Sequence, residues 1–460
     1  MNISLLTPEL ILILFSFLVL TGGFFRLNIG FEIAIIACGA SIASLIAIFI
    51  IKQPIDNSLI VSPFSSLLKI LFISSLFIVI LMSKDFLKGL KNQNEYCFFL
   101  LTGTIGMLLA VSSNDMVILY ISIELISISS YILTCFIKDK KGIEGGIKYL
   151  LFGAFSSAFL IYGMSLLYGL TGGTNFSDIS PRLLGLGFGP IPVLAIIFIF
   201  AGVCFKADIV PFHFWIPDVY QGAPTPITAF LATASKIAGF AIIMNLLFAP
   251  LGSILFDYRR LFFILSVITI ILGNLQAIPQ KNIKRMLGYS SISHAGYLLI
   301  GLCAYSGEGI IAMLFYFVAY SIATISSFLV ISATKLEEID DYNGFSKRSP
   351  LLSLLMLLSL SSLAGLPPLV GFFGKFSLFY SAIKQGLIPL VIIGVVFSVV
   401  SIYYYFMVIK AIYLGRKENG SISIPGYIKA LAILLILSLV ILGLFPNPIA
   451  NLAFFANQSL

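Results

Sequence analysis

Apolar runs of about 20 residues recur along this chain from Pro8 to Phe445, with only short loops between them. A helix needs about 20 apolar residues to cross roughly 30 Å of hydrocarbon. At that depth every backbone N–H and C=O must find a partner inside the protein, so runs of this length dictate transmembrane helices. Read between charged or Gly/Pro breaks, they give about fourteen. The expected spans are 8–24, 29–51, 65–82, 95–113, 114–137, 143–170, 190–221, 223–249, 258–278, 284–304, 309–335, 350–384, 388–413 and 427–446. The expected fold class is an all-α polytopic membrane protein without a separate soluble domain. Composition agrees, since 59% hydrophobic and 10% charged residues over 460 positions exclude an ordinary soluble globular protein. The opening MNISLLTPELILILF lacks a basic n-region and a small-residue cleavage site, and so reads as a first spanning helix rather than a signal peptide.

The net charge of +8 does not point to nucleic acid, because the basic residues are scattered through short loops rather than gathered on one element. Sorted by side, eighteen Lys and Arg fall on one face of the membrane and six on the other: Lys52, Lys69, Arg182, Arg259, Arg260 and Lys384. The positive-inside rule then places both termini on the periplasmic side or its equivalent, and the absence of a targeting segment favours a bacterial cell inner membrane, although an organelle-encoded chain would read the same. Five cysteines, Cys38, Cys97, Cys135, Cys204 and Cys303, are isolated in apolar segments with no C-x-x-C pair, which reads as packing rather than metal or cluster binding.

Two expected spans cannot be continuous. The seventh contains FKADIVPFHFWIPDVYQGAPTP, where Pro211 and Pro217 remove backbone donors, and the twelfth contains SLAGLPPLVGFFGKF, with Gly365, Pro367, Pro368 and Gly371. The breaks lie five helices apart in comparable five-helix blocks, 95–249 and 258–413, which predicts an internal repeat. An odd number of helices per block makes the copies inverted, an arrangement typical of transporters. A three-helix segment, 1–94, precedes the repeats, and a helix and tail, 414–460, follow them.

Inside the apolar runs stand Glu124, Lys206, Lys236 and Lys375, joined by His294. A charge at bilayer depth costs roughly 2.5–3.5 kcal/mol on insertion scales, so this set marks an ion or proton path. Glu124 shares a helix face with Tyr120, Ser127 and Tyr131, which gives it hydroxyl neighbours; a polar helix-packing contact is the plainer alternative. Lys206 precedes the break in the seventh span, where freed carbonyls suit a cation. Glu124 is one candidate partner for it and Asp208 another. Lys236 lies too deep in its span for snorkelling, and a desolvated ammonium is suited to loading and releasing a proton, or else to one static ion pair. His294 has Ser290, Ser291 and Tyr297 on its face and reads equally as a relay or as a hydrogen-bonded core histidine. Tyr316, Tyr320, Thr324 and Ser327 follow at helical spacing on the next helix, where hydroxyl-mediated packing is the plainer explanation. Lys375 follows the second break and is a natural outer proton site. His213, Asp218 and the acids of IDDYNGF are weaker candidates. Two like charges about 8 Å apart at an effective dielectric near 20 repel by roughly 2 kcal/mol, so moving one charge in such a row can expel or admit a proton at the next.

The segments IELISISSYIL, KYLLFGAFSSAFLIYGMSLLYGLTGGT, FKADIVPFHFWIPDVYQGAPTP, KRMLGYSSISHAGYLLIG and AGLPPLVGFFGKF occur in this order. Together they resemble the antiporter-like subunits of respiratory complex I, the proton-pumping NADH–quinone oxidoreductase, over about residues 95–415. Within that family the chain is most similar to the N type. Lys375 stands where the M type carries glutamate, and the long lateral helix of the L type is not seen in the final 14 residues. The resemblance implies that the fifth-helix acid is Glu124, the seventh-helix lysine Lys206, the central lysine Lys236 and the outer lysine Lys375. Asp208 departs from the apolar or small residue the family places after the seventh-helix lysine. The resemblance also implies that this chain holds no cofactor. NAD, FMN, iron–sulfur clusters and quinone are expected in partner subunits, and the partners would be other membrane-arm subunits, including related antiporter-like ones. An Mrp-type cation/proton antiporter subunit is the alternative, since both share fold and buried lysines.

Overall fold

The computed structural model describes residues 3–25, 27–48, 53–54, 58–186, 189–248, 258–415 and 422–458. The chain forms α1 (Thr7–Phe24), α2 (Gly30–Ile48), α3 (Pro63–Leu87), α4 (Gln93–Ser112), α5 (Met116–Thr134), α6 (Lys140–Thr171), α7 (Phe176–Leu186) and α8 (Pro190–Lys206). It continues with α9 (Ile216–Gly222), α10 (Thr225–Phe230), a π-helical turn (Leu231–Ser235), α11 (Lys236–Phe248), α12 (Tyr258–Ala277), α13 (Ile283–Ala304) and α14 (Gly307–Thr334). Then come α15 (Phe345–Arg348), α16 (Pro350–Ala364), α17 (Val370–Lys384), α18 (Ile388–Leu414), α19 (Gly426–Leu444) and α20 (Asn447–Asn457). A two-residue ladder pairs β1 (Gln53–Pro54) with β2 (Ile60–Val61).

Local chemistry explains where many of these helices start. Side-chain oxygens of Asp115, Asp139, Asn282 and Ser306 accept the first free amides of α5, α6, α13 and α14. Among the described residues, eleven helices are long and apolar enough to span a membrane. The three remaining expected spans fall short for visible reasons. The seventh and twelfth are cut by their breaks into α8–α9 and α16–α17, and α13 carries Lys284, Arg285 and a run of serines.

The helices form two units. The first comprises 1–207, 222–257 and 455–460, and the second comprises 208–221 and 258–454. In the first, the stretch Thr225–Leu247 is buried apart from the half-buried Thr225 and Asn245, whereas Ile147, Leu150, Leu151 and Phe155 of α6 are exposed, as a lipid-facing surface requires. In the second, α13 and α14 are the buried helices, and α18 turns Val395, Val399, Tyr403 and Phe406 outward.

Three expectations need correction. Lys69, counted by side with the surface charges although it falls within the expected span 65–82, is a buried and paired lysine. It lies in α3 with Nζ 2.6 Å from Glu9 Oε1 of α1, and the two side chains are 0% and 2% exposed. An apolar-run reading cannot foresee that a lysine and a glutamate 60 positions apart neutralise each other. The span 223–249 is not one regular helix, because the π turn interrupts it immediately before Lys236. Finally, α7 and α20 have no counterpart among the expected spans. At 11 residues each they are too short to cross hydrocarbon, and among its described side chains α7 buries the stripe Phe176, Ile179 and Leu183. Arg26, Lys52, Arg416 and Lys417, which entered the sorting of charge by side, lie outside the described residues.

The Glu9–Lys69 pair gives a stability prediction. Lys69→Met leaves a buried carboxylate uncompensated and should cost about 3–5 kcal/mol, while the Glu9→Gln/Lys69→Met double variant should recover most of that loss. Unfolding midpoints in detergent check this; strictly additive losses would show that the two groups do not interact.

Candidate functional site

In the first unit, the sequence-predicted residues line a succession of polar contacts. Glu124 of α5 accepts a short hydrogen bond from Ser157 Oγ of α6. It borders an open groove of about 370 Å³ with Tyr120, Tyr131, Leu150 and Ala154. Tyr120 and Tyr131 are there because positions i−4 and i+7 share its face; Ser157 comes from another helix, which spacing on α5 could not reveal. Tyr131 packs edge-on against Tyr149 at 4.7 Å between ring centroids. Tyr149 in turn accepts a hydrogen bond from Lys206 Nζ at 3.3 Å, the amine standing 5.7 Å from its ring centroid. The groove-facing carboxylate and the amine at the end of α8 thus flank two phenols, Tyr131 and Tyr149, in edge-on contact.

Lys236 is brought close to this end of α8 by Gly239, one turn further along α11. A Cβ at Gly239 would stand 2.7 Å from the carbonyl carbon and oxygen of Lys206, so only glycine lets α11 approach so closely. The π turn ahead of Lys236 loosens the main-chain hydrogen-bond ladder, a device that recurs at functional sites. Lys206, Lys236, His294 and Lys375 are all at most 3% exposed.

In the second unit, His294 of α13 contacts Tyr316 Oη through Nδ1 at 2.5 Å and Tyr405 Oη through Nε2 at 3.1 Å; donor and acceptor roles depend on its tautomer. Tyr405 also makes a short hydrogen bond with Ser290. Ser291 receives a hydrogen bond from Tyr320 Oη at 3.2 Å, lies 3.1 Å from Tyr220 Oη, and donates to Asp208 Oδ2 at 3.3 Å. The expected hydroxyl stripe of α14 therefore divides. Tyr316 bonds the histidine and Tyr320 bonds Ser291 while its ring packs against the imidazole, whereas Ser327 donates to Ser359 of α16 at 2.9 Å, a helix-packing contact. Tyr405 was missed from sequence, although three consecutive tyrosines, Tyr403, Tyr404 and Tyr405, in an apolar run were a usable signal.

Lys375 of α17 points at the end of the broken twelfth span. Its Nζ donates to Ala364 O at 3.1 Å and to Ser398 Oγ at 3.0 Å, and it stands 4.6 Å from the Tyr297 ring centroid. Ala364 closes α16, so the ammonium sits at the negative end of a helix and against an aromatic face. Gly365 terminates that helix at φ +87°, and a Cβ there would stand 3.0 Å from Lys375 Cδ. The weaker candidates resolve differently. Asp218 is tied to Arg285 at 2.5 Å, a structural contact, while His213 is buried with no hydrogen-bond partner for Nδ1.

Breaks that end helices against buried amines, together with phenol and hydroxyl rows, define a membrane-embedded ion-handling protein of the antiporter type. A family model described as NADH:quinone oxidoreductase/Mrp antiporter, TM, matches residues 113–401. NADH-quinone oxidoreductase subunit N of Moorella thermoacetica is 42% identical over 86% of this chain and 84% of its own length. The protein of the same name from Heliobacterium modesticaldum is 40% identical over 87% and 86%. Among solved structures, a chain of respiratory complex I from Thermus thermophilus with bound aureothin has a TM-score of 0.85 at 30% identity, covering 96% of this chain and 98% of that one. A chain of the Mrp complex from Dietzia sp. shares the fold, with a TM-score of 0.88 at 19% identity and coverage of 100% and 98%. This chain belongs to the NADH:quinone oxidoreductase/Mrp antiporter transmembrane family.

Gly365→Ala tests how the Lys375 seat is built. The left-handed conformation costs a non-glycine residue roughly 1–2 kcal/mol, before the crowding against Lys375 is added. A lower unfolding midpoint together with reduced proton transport is expected; an unchanged midpoint would mean the seat tolerates a side chain.

Proposed function

We propose that this chain is the N-type antiporter-like subunit in the membrane arm of a proton-translocating NADH:quinone oxidoreductase, and that protons pass by way of Glu124, Lys206, Lys236, His294 and Lys375. Electron transfer takes place in partner subunits, which hold NAD, FMN, iron–sulfur clusters and quinone. The other membrane-arm subunits, related antiporter-like ones among them, are its neighbours. The 95–249 and 258–413 blocks are inverted copies, and the protein resides in a bacterial inner membrane with both termini on the periplasmic side.

The observation that carries this reading is the seat of Lys375. Its described partners are a carbonyl, a hydroxyl and a ring, with no carboxylate among them. An ammonium held by neutral groups can give up its proton without stranding a buried anion, which the Glu9–Lys69 pair could not do. Upstream, Lys206 and Lys236 lie on helices packed closely at Gly239. A charge on one amine raises the cost of charge on another about 8 Å away by roughly 2 kcal/mol at an effective dielectric near 20, and moving that amine changes the cost by part of this amount. In this mechanism the chain's own residues move only protons; partner subunits supply the driving charge movement.

The likeness to an Mrp complex rests on 19% identity and concerns the fold, whereas the relatives at 40% identity or more carry the subunit N name and favour the oxidoreductase. Copurification with flavin and iron–sulfur subunits supports that assignment. Sodium-dependent exchange by a complex without redox centres would favour the antiporter. Lys236→Ala is expected to abolish or uncouple NADH-driven acidification of inverted vesicles while the complex still assembles; unaltered pumping contradicts the proposal.

A further inference from the structure

The proposed path leaves one buried carboxylate without a task. Asp208 lies in the non-helical link between α8 and α9, with φ +63° and 2% exposure. Aspartate tolerates the left-handed region better than most residues, but backbone convenience does not call for an acid at this depth, where asparagine would serve as well.

Its surroundings in the second unit are ordered in one direction. Tyr320 Oη donates to Ser291 Oγ, and Ser291 Oγ donates to Asp208 Oδ2. Each hydroxyl in the row therefore aims its proton toward the carboxylate. One turn along α13 from Ser291 stands His294, whose ring centroid is 5.0 Å from that of Tyr320 and whose Nδ1 contacts Tyr316 Oη. Tyr316 packs in turn against the backbone next to Lys375, since a Cβ at Gly374 would stand 2.5 Å from Tyr316 Cδ2. On the same helix, Ser321 Oγ and Thr324 Oγ1 are buried with no hydrogen-bond partner in the protein, and buried polar groups of this kind are ordinarily satisfied by ordered water.

We propose that Asp208 is a proton-storing carboxylate of the second unit, loaded through Tyr320 and Ser291 from the His294 side of the network and discharged by the same row, so that it holds a proton for that network between transfer steps. The inference rests on the proton-translocating reading above and adds a residue to it. The step balances simply. Ser291 gives its proton to the carboxylate and takes one from Tyr320, Tyr320 is replenished from the histidine side, and each hydroxyl ends with the proton count it began with. The carboxylate becomes a neutral acid, and the reverse sequence restores it.

Asparagine is the discriminating replacement. Asp208→Asn keeps the left-handed backbone and an oxygen that accepts from Ser291, but it cannot take up the proton. In inverted vesicles carrying the assembled complex, Asp208→Asn is expected to slow NADH-driven acidification several-fold, while Asp208→Glu keeps most of it. A structural role alone would leave the asparagine variant pumping at the parental rate, and that result overturns the inference. Lys236→Ala in the same assay separates the two claims. If it abolishes pumping while Asp208→Asn does not, only the role of Asp208 fails; if neither matters, the proton-path reading itself fails. Should Asp208→Asn not assemble, infrared difference spectra of the turning-over complex decide. A protonated-carboxyl band that moves in Asp208→Glu supports the role, and identical bands in parental and Asp208→Glu complexes overturn it.

Discussion

The chain is organised around the cost of ionisable groups in hydrocarbon. Taking an ammonium or a carboxylate out of water is tolerated only where protein dipoles, hydroxyls or an opposite charge replace the lost hydration. Each buried group meets that demand in its own way. Lys375 uses the last carbonyl of an interrupted helix, Lys206 a phenol, and Lys69 a carboxylate. The helix breaks are therefore part of the solution. An unbroken twelfth span would have consumed the Ala364 carbonyl in its own ladder.

The same cost separates a static pair from a transporting one. Glu9 and Lys69 neutralise each other at 2.6 Å, and moving a proton from one to the other would still leave two desolvated polar groups locked together. Glu124 and Lys206 each reach neutral hydroxyls from other helices, Ser157 and Tyr149. In the second unit, imidazole and phenol groups do this work, and Ser290, Ser291 and His294 share one stripe of α13 while α14 and α18 supply the tyrosines. Neutral, rotatable partners are what a proton needs in order to leave as well as arrive.

How much of this was legible in the sequence follows from which signals are local. Helix length and apolarity are local, so the spanning helices were readable to within a few residues, as were the interruptions at Pro211 and at Pro367–Pro368. The polar face around Glu124 was also readable, because Tyr120 and Tyr131 recur at helical spacing. Partners supplied by other helices were not. Ser157, Tyr149 and Ser398 lie 23 to 57 positions from the groups they serve, and nothing in their own neighbourhood marks them as more than packing residues; Tyr405, 111 positions from His294, is marked only by its run of tyrosines. Lys69 was misread for the same reason, since its neutralising glutamate belongs to another helix. The short helices α7 and α20 escaped because a window tuned to membrane thickness cannot register 11 residues. The π turn before Lys236 has no side-chain signature at all.

The central claim is that the buried amines and the imidazole are linked by hydrogen-bonding groups and water through which protons pass. A density map of the assembled complex at a resolution that shows ordered water tests this most directly. The account predicts waters touching Lys236 Nζ and Lys375 Nζ and completing the bonds of Ser321 and Thr324. A map in which those amines and hydroxyls face lipid tails, or are sealed in dry contacts with no hydrated connection, would contradict it.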